Sequence, residues 1–241
     1  MSTIKTSGLV LRSIKYRETS LIVDIYTKER GLRSYIVNGV RKPKARMNAS
    51  LFQHGNLVEM VAYDGDGGKL LRIKEIGLET PYAHIPFDVE KSSIALFLLE
   101  VIRNSIKEQE SNPSLFEFLT EWLLFLDTYK GSHALIHIKF LCDYATFIGF
   151  KPINDWSVDR PYFNLELGHF TDEFTRSIYV TQKEGSKAIS TLLEIDKQDL
   201  HSLYFRKDIR MEIIDDLIKF YKLHIDSFKD LKSFDILKQI F

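Results

Sequence analysis

The first third of the chain is made of short apolar segments separated by turn residues. In one of them Leu21, Val23 and Ile25 alternate with Asp24, the pattern of a strand with one buried face. The run "DGDGG" at 64–68 is a strong turn signal. The segments cover residues 7–14, 21–27, 32–38, 56–63 and 69–76. Five short strands within one small region predict a barrel, because closure removes exposed sheet edges.

From residue 88 onward the apolar positions follow a helical period instead. The predicted helices cover residues 93–106, 114–129, 133–150, 186–194, 197–205, 208–223 and 228–240. A turn-rich stretch lies at 149–170, and two prolines mark a boundary within 79–88. These patterns predict an α+β protein, with a five-stranded β-barrel domain at 1–80 and a mostly α-helical domain at 81–241.

The composition is that of an ordinary globular protein, with 44% hydrophobic and 27% charged residues. The single cysteine, Cys142, excludes an intrachain disulfide and fits a reducing compartment. The first residues lack the apolar run of a secretory signal, and no stretch is long and apolar enough to span a membrane. We expect a cytoplasmic protein.

The formal net charge of zero conceals an asymmetry. Residues 1–82 hold 14 basic and 8 acidic side chains, a net charge of +6, and the remainder therefore carries −6, because the chain has 33 of each sign. Four basic residues fall within 41–46, around Pro43. This segment is too polar for a core and unsuited to a central strand, so it predicts a loop between the third and fourth strands.

Basic side chains on a small barrel can follow a phosphate backbone. The candidate DNA-binding residues are Arg12, Lys15, Arg17, Arg33, Arg41, Lys42, Lys44, Arg46, Arg72 and Lys74. The aromatic residues near them, which could stack on bases, are Tyr16, Tyr26, Tyr35 and Phe52. The alternative is a solvated basic loop beside tyrosines that belong to the core, and the composition favours neither interpretation.

The sequence gives weaker support for a phosphate-binding loop, a metal site or a catalytic residue than for the basic surface. The glycines at 64–68 lack the helix that a phosphate-binding loop requires, so they predict a hairpin. His133 and His137 have the spacing of two metal ligands on a helix, but no further ligand accompanies them. Cys142 lies among apolar residues and is expected in the core. We therefore expect no catalytic residues, no metal and no cofactor.

The first third of the chain contains five distinctive motifs, which are "LVLRS" (9–13), "YRE" (16–18), "YTKERG" (26–31), "NGVRKPKAR" (38–46) and "LFQHGNLVEM" (51–60). In combination they resemble the start of the RecO family of bacterial recombination mediators. The fourth matches the family's Gly-x-Arg loop that ends in Ser/Ala-Arg. The last lacks the proline that the family places there.

The resemblance is weaker later in the chain, where residues 135–155 are similar to a family helix that ends in Gly-x-x-Pro. Many family members then carry four cysteines that bind zinc, and this chain has none there. We therefore predict a cysteine-free, zinc-finger-like segment near 150–180, packed by Trp156, Tyr162 and Phe163.

The resemblance implies an N-terminal oligonucleotide-binding (OB) barrel and a helical C-terminal domain. Proteins of this family bind single- and double-stranded DNA and anneal complementary strands. They also bind RecR and the C-terminal tail of single-strand-binding protein, and they help to load RecA during repair. They are not enzymes, and they work in the bacterial cytoplasm at the nucleoid.

The tail of single-strand-binding protein is acidic and ends in an apolar residue, so its receptor needs an apolar pocket with a basic rim. The candidate residues are Arg103, Lys107, Lys130, Lys139, Phe140 and Phe147. Three other functions stay open: a general OB-fold nucleic-acid-binding protein, an enzyme built around His133 and His137, and an adaptor whose basic loop binds an acidic protein.

Overall fold

A computed structural model describes residues 2–40, 42, 45–65, 68–106, 109–173 and 179–241. The chain contacts group into two compact units, Met1–Thr128 and Tyr129–Phe241. The first two helices therefore group with the barrel. The functional division into domains 1–80 and 81–241 stays a prediction.

The first unit contains the predicted five-stranded barrel, which is confirmed. Its strands are β1 (Thr3–Tyr16), β2 (Ser20–Thr27), β3 (Gly31–Val37), β4 (Leu57–Tyr63) and β5 (Leu71–Thr80). The closed order is β1-β2-β3-β5-β4, the arrangement of an OB fold. β1 is long enough to pair with β4 through its first half and with β2 through its second half, with an irregularity between Val10 and Arg12.

Every neighbouring pair in the barrel is antiparallel except β3 and β5. These two strands are parallel and share only two residue pairs, Tyr35 with Leu71 and Ile36 with Arg72. The interior is filled by alternate apolar residues of the strands together with Tyr35 and Phe52. Gly8 permits the close approach of two strands, because a Cβ there would lie 2.5 Å from Cγ2 of Ile25.

Two helices complete the first unit, α1 (Val89–Ser105) and α2 (Pro113–Thr128). The connection from the barrel to α1 is fixed by Asp127 near the end of α2. Its carboxylate accepts hydrogen bonds from the backbone N–H groups of Ala83, His84 and Ile85, each at 2.8 Å. Burial opposes the charge of Asp127, but these bonds outweigh burial and hold its pKa below the usual range.

The second unit is mostly helical, as predicted. Its elements are α3 (Ile136–Phe147), β6 (Tyr162–Asn164), β7 (His169–Thr171), α4 (Lys183–Glu194), α5 (Lys207–His224) and α6 (Lys232–Ile240). The predicted helix at 197–205 is a 3-10 segment, Lys197–Ser202. The turn-rich stretch contains the β6–β7 hairpin, whose Phe163 and Phe170 are buried. No helix within the described residues is long and apolar enough to cross a membrane.

The two candidate chemical groups on α3 lie in the interior of this unit. Cys142 is buried, as predicted, and burial raises the pKa of its thiol to about 12. The imidazole of His137 is also buried, with its centroid 5.4 Å from that of the Phe241 ring. Burial, and then the charge of Arg210, lowers the pKa of His137 to about 3. In the described part of the chain no three His, Cys, Asp or Glu side chains form a metal-binding group.

Replacement of Asp127 by alanine should lower the free energy of unfolding by about 2 kcal/mol, because it leaves three backbone N–H groups, among them the buried one of Ile85, without their acceptor. Urea unfolding at pH 7, followed by circular dichroism, measures the loss. Glu117→Ala is the matched control on the same helix, since the Glu117 side chain is exposed and forms a surface ion pair with Lys28. That control should lose less than about 1 kcal/mol. Equal effects of the two substitutions would contradict the role of Asp127.

His137 should make the protein less stable in mild acid. Its pKa is about 3 when folded, whereas an unfolded histidine has a pKa near 6.5. The unfolded chain therefore binds a proton that the folded one does not, so this part of the stability is complete above about pH 6.5 and falls as the pH falls. At pH 5 the loss should be about 2 kcal/mol relative to pH 7.

The variant His137→Phe isolates this contribution, because phenylalanine keeps an aromatic ring beside Phe241 and carries no titrating group. Urea unfolding at pH 7 and pH 5 should show a smaller loss for the variant than for the unmodified protein. The same loss in both would exclude His137 as the origin.

Candidate nucleic-acid interface

The predicted basic loop follows β3 and leads into a 3-10 turn, Ala49–Phe52. At its start Asn38 accepts a hydrogen bond from the Ser20 hydroxyl at 3.0 Å. At its end the Asn48 side chain caps the turn by accepting from Ser50 N–H at 3.0 Å. Lys42 and Arg46 are exposed. The predicted phosphate contacts Arg41 and Lys44 lie outside the described residues.

The tip of the β1–β2 hairpin lies at the same end of the barrel as this loop. Tyr16 pairs with Ser20, and the Ser20–Asn38 bond joins the tip to the start of the loop. Lys15 and Arg17 are exposed at the tip. Arg17 has a φ of 54°, the left-handed conformation, and its guanidinium carbon lies 5.2 Å from the centroid of the Tyr16 ring. The turn therefore projects two cations beside the loop.

β5 adds a fifth cation to this end. Arg72 is exposed and pairs with Ile36, one residue before the end of β3. We call the set the basic end, and it consists of Lys15, Arg17, Lys42, Arg46 and Arg72. In the part of the chain that the structure describes, none of these five side chains has a carboxylate partner within ion-pair distance.

Five other cations of the barrel are paired. The pairs are Lys5–Glu59 at 2.5 Å, Arg12–Asp24 at 3.7 Å, Lys28–Glu117 at 2.8 Å, Arg30–Asp64 at 3.0 Å and Lys74–Glu75 at 3.9 Å. Two predicted DNA-binding residues, Arg12 and Lys74, are thus partly neutralised by carboxylates of the same sheet. Among the described residues of the barrel, the exposed cations without a carboxylate partner are those of the basic end and Lys69.

Arg33 requires a correction, because it is buried with only 8% of its surface exposed. Its Nη1 donates to the carbonyl oxygens of Gln109 at 2.8 Å and Leu32 at 3.0 Å. The guanidinium thus fixes the connection between α1 and α2, and it is not accessible to a phosphate. Sequence alternation could not reveal this, because the segment that covers Arg33 is distant in sequence.

Most of the candidate stacking aromatics belong to the core. Tyr26, Tyr35 and Phe52 are each exposed by 2% or less, and Tyr26 stacks on Phe116 with ring centroids 6.3 Å apart. Burial raises the pKa of Tyr35 to about 12. Tyr16 is half-buried at the hairpin tip. Of the two interpretations left open by the composition, the core interpretation holds for three of the four rings.

An apolar cleft of about 430 Å³ lies between the second half of β1 and the turn that follows the basic loop. Its lining residues are Ser13, Lys15, Leu21, Ala49, Phe52, Gln53 and His54. His54 Nε2 accepts a hydrogen bond from the backbone N–H of Ser13 at 3.1 Å, which fixes the turn against β1. The pattern of the sequence does not indicate this cleft, since its residues follow no period. Lys69, two residues before β5, is a further exposed cation that the predicted set does not include.

Two of the residues predicted to bind the acidic tail, Phe140 and Lys139, lie in the interior of the second unit. Phe140 is fully buried and stacks on Tyr144 with centroids 5.1 Å apart. Lys139 is also buried, and its Nζ lies 2.5 Å from Asp143 Oδ1. Neither is accessible to a peptide, because both lie on the inner face of α3.

The other proposed tail contacts are distributed over the chain. Lys130 and Phe147 are exposed in the second unit, and Arg103 is exposed at the end of α1 in the first. Lys107 lies outside the described residues. The position of a tail-binding site therefore stays open.

Comparison with known proteins agrees with this architecture. Two family models, described as Recombination protein O N terminal and Recombination protein O C terminal, match residues 1–82 and 86–233. DNA repair protein RecO of Bacteroides fragilis is 35% identical over 239 residues, covering 98% of both chains. The proteins of that name from Flavobacterium johnsoniae and Christiangramia forsetii are 36% and 33% identical over 239 residues, covering 99% of each chain. The chain belongs to the RecO family of DNA repair proteins.

Proposed function

We propose that this protein is a recombination mediator. It binds single- and double-stranded DNA, anneals complementary strands and, together with RecR, helps to load RecA on DNA covered by single-strand-binding protein. The observation that supports this proposal is the unpaired positive charge at the basic end of an OB barrel. The family membership supplies the expected reaction and partners.

The chemistry of the basic end suits a phosphate backbone rather than particular bases. Lysine and arginine side chains neutralise phosphates and release condensed counterions, which favours binding at low salt. Such contacts position the nucleic acid without reading its sequence. With about four phosphate contacts, the slope of log affinity against log salt on single strands should be roughly −3.

Annealing follows from the same electrostatics. Two complementary strands repel each other through their phosphates, and a cationic surface that holds one strand lowers this repulsion as the second approaches. Base pairing then supplies the specificity, so the protein needs no base-edge contacts and no bond-breaking residue. We therefore propose a non-enzymatic role in the bacterial cytoplasm, where the family's substrate lies.

Neutralisation of the basic end should weaken binding to all DNA sequences alike. The variant Lys15→Gln/Arg17→Gln/Lys42→Gln/Arg46→Gln should bind a labelled single strand at least about tenfold more weakly near 0.1 M salt, with a flatter salt dependence. Fluorescence anisotropy at several salt concentrations measures both quantities. Annealing of two complementary labelled strands, followed by energy transfer between the labels, should slow in parallel.

The matched control removes four cations that are already paired with carboxylates. They are Lys5, Lys28, Lys219 and Lys222, in ion pairs with Glu59, Glu117, Asp216 and Asp230. Substitution of all four by glutamine changes the net charge equally and should leave DNA affinity nearly unchanged. Equal losses in the two variants would contradict the basic end as the DNA surface. Binding without annealing would favour a general nucleic-acid-binding protein.

We also propose that the segment near 150–180 needs no zinc, and the contacts of its described residues, 150–173 and 179–180, support this. Asp155 takes a central position, since its Oδ1 accepts from Phe170 N–H at 2.9 Å and its Oδ2 pairs with Arg160 at 2.9 Å. Phe163 packs on Phe170, with centroids 5.0 Å apart, beneath these polar contacts. Hydrogen bonds and an aromatic core thus support the hairpin, where a thiolate–zinc site would otherwise connect its strands.

The two other aromatics predicted for this segment lie beneath lysines of α4. Lys187 Nζ is 5.6 Å from the centroid of the Trp156 ring, and Lys183 Nζ is 5.5 Å from that of Tyr162. Both rings are half-buried. Such cation–π contacts join the segment to the helix that follows it.

Removal of metal should therefore leave stability unchanged. Dialysis against a strong chelator should shift the midpoint of thermal unfolding by less than about 1 °C, because no folding energy depends on a bound ion. Elemental analysis of the purified protein is the second measurement. Zinc in a one-to-one ratio with the chain, together with a large fall in the midpoint after chelation, would contradict the proposal.

A further inference from the structure

The apolar cleft beside the basic end has a shape and a position that phosphate binding alone does not require. Its volume of about 430 Å³ lies within the range of roughly 300–1,000 Å³ that is common for sites of small organic groups. Its exposed lining is mainly apolar and includes Leu21 and Ala49. The cleft is open to solvent on one side, so a flat group that lies in it can place one face against an apolar surface.

The basic loop joins two of the segments that line the cleft. It leaves the barrel after Val37, which pairs with the lining residue Leu21, and it leads to Ala49, which is also in the lining. Lys15 of the hairpin contributes to the lining, and the loop adds the exposed cations Lys42 and Arg46. A group that enters this cleft is expected to carry negative charge on either side of an apolar centre.

An unpaired nucleotide within a strand has this distribution of charge, because each base lies between two phosphates. We propose that the cleft is a binding site for one unpaired nucleobase, whose flanking phosphates contact Lys15 and Lys42. This proposal rests on the proposed DNA binding and adds a preference for single strands. In a duplex the bases are stacked and paired, so they cannot enter the cleft.

The polar groups of the cleft suit a base without selecting one. Gln53 is exposed at the rim, and its amide can both donate and accept a hydrogen bond. The His54 ring lines the cleft and is oriented by its bond from Ser13 N–H. Stacking against such walls tolerates every base, since each has a flat face. The site should therefore bind a strand with bases more tightly than an abasic strand. It should not prefer one kind of base over another.

The first test compares two single strands with the same number of phosphates. One is a thymine oligonucleotide, and the other is an abasic strand of equal length. The unmodified protein should bind the thymine strand at least roughly fivefold more tightly, the lower limit of what stacking of one base contributes. Fluorescence anisotropy at one fixed salt concentration gives the two affinities and their ratio.

The variant Ala49→Leu should fill the cleft and bring this ratio close to one, with little change in affinity for the abasic strand. Ser50→Leu is the matched control, because it adds the same side chain at an exposed neighbouring position outside the lining. The control should keep the ratio of the unmodified protein. A ratio that Ala49→Leu leaves unchanged would overturn the proposal.

A second measurement needs no substitution and so does not depend on the folding of a variant. A single strand that contains photoreactive 4-thiothymine should cross-link to the turn at 52–54, and mass spectrometry identifies the modified peptide. Cross-links confined to other parts of the barrel would overturn the base site.

The outcomes distinguish this proposal from the proposed function. If the unmodified protein binds the thymine and abasic strands equally well, DNA binding stands and the base site is wrong. The cleft would then suit an apolar side chain of a protein partner instead. If it binds neither strand at low salt, the proposed function itself fails.

Discussion

Closure of the barrel through β3 and β5 is the constraint on which the first unit depends. Only two residue pairs join these strands, yet they convert an open meander into a closed sheet without exposed edges. The same contact places Arg72 of β5 beside the end of β3, where the basic loop begins. Residues that are more than thirty positions apart in sequence are thus brought to one end of the barrel by backbone pairing alone.

The distribution of ion pairs over the barrel determines the positive charge of the basic end. Some cations of the barrel have a carboxylate on the neighbouring strand, as Lys5 of β1 has Glu59 of β4. The carboxylate largely cancels the electric field of such a cation close to the surface. Cations without such a neighbour repel one another over a Debye length of about 8–10 Å at physiological salt. That repulsion opposes folding slightly and favours the binding of any polyanion.

The sequence predicted those features that depend on local periodicity. Five strands and the change to helices follow from the spacing of apolar residues, and the basic loop follows from its composition. Side-chain accessibility depends instead on contacts between distant segments. Arg33 is covered by the connection at Gln109, and Lys139 is drawn inward by Asp143 one helical turn away. Phe140 was proposed for a surface pocket, although an aromatic residue at a helical core position is more often buried. The cleft has no sequence signature, because its walls come from β1, β2 and the turn after the loop.

The basic end and the adjacent cleft differ in what they require of a ligand, and this difference bears on annealing. Phosphate contacts are equally available to one strand or two, so they retain DNA before and after pairing. An unpaired base in an apolar cleft is retained only while it has no partner, because pairing restores it to a stack. Pairing with the complementary strand then costs the contact of only one base with the cleft. The contacts between phosphates and cations persist. Under the proposed function, a surface that combines both elements would hold a single strand without reading its sequence, and it would release the base when the complementary strand arrives.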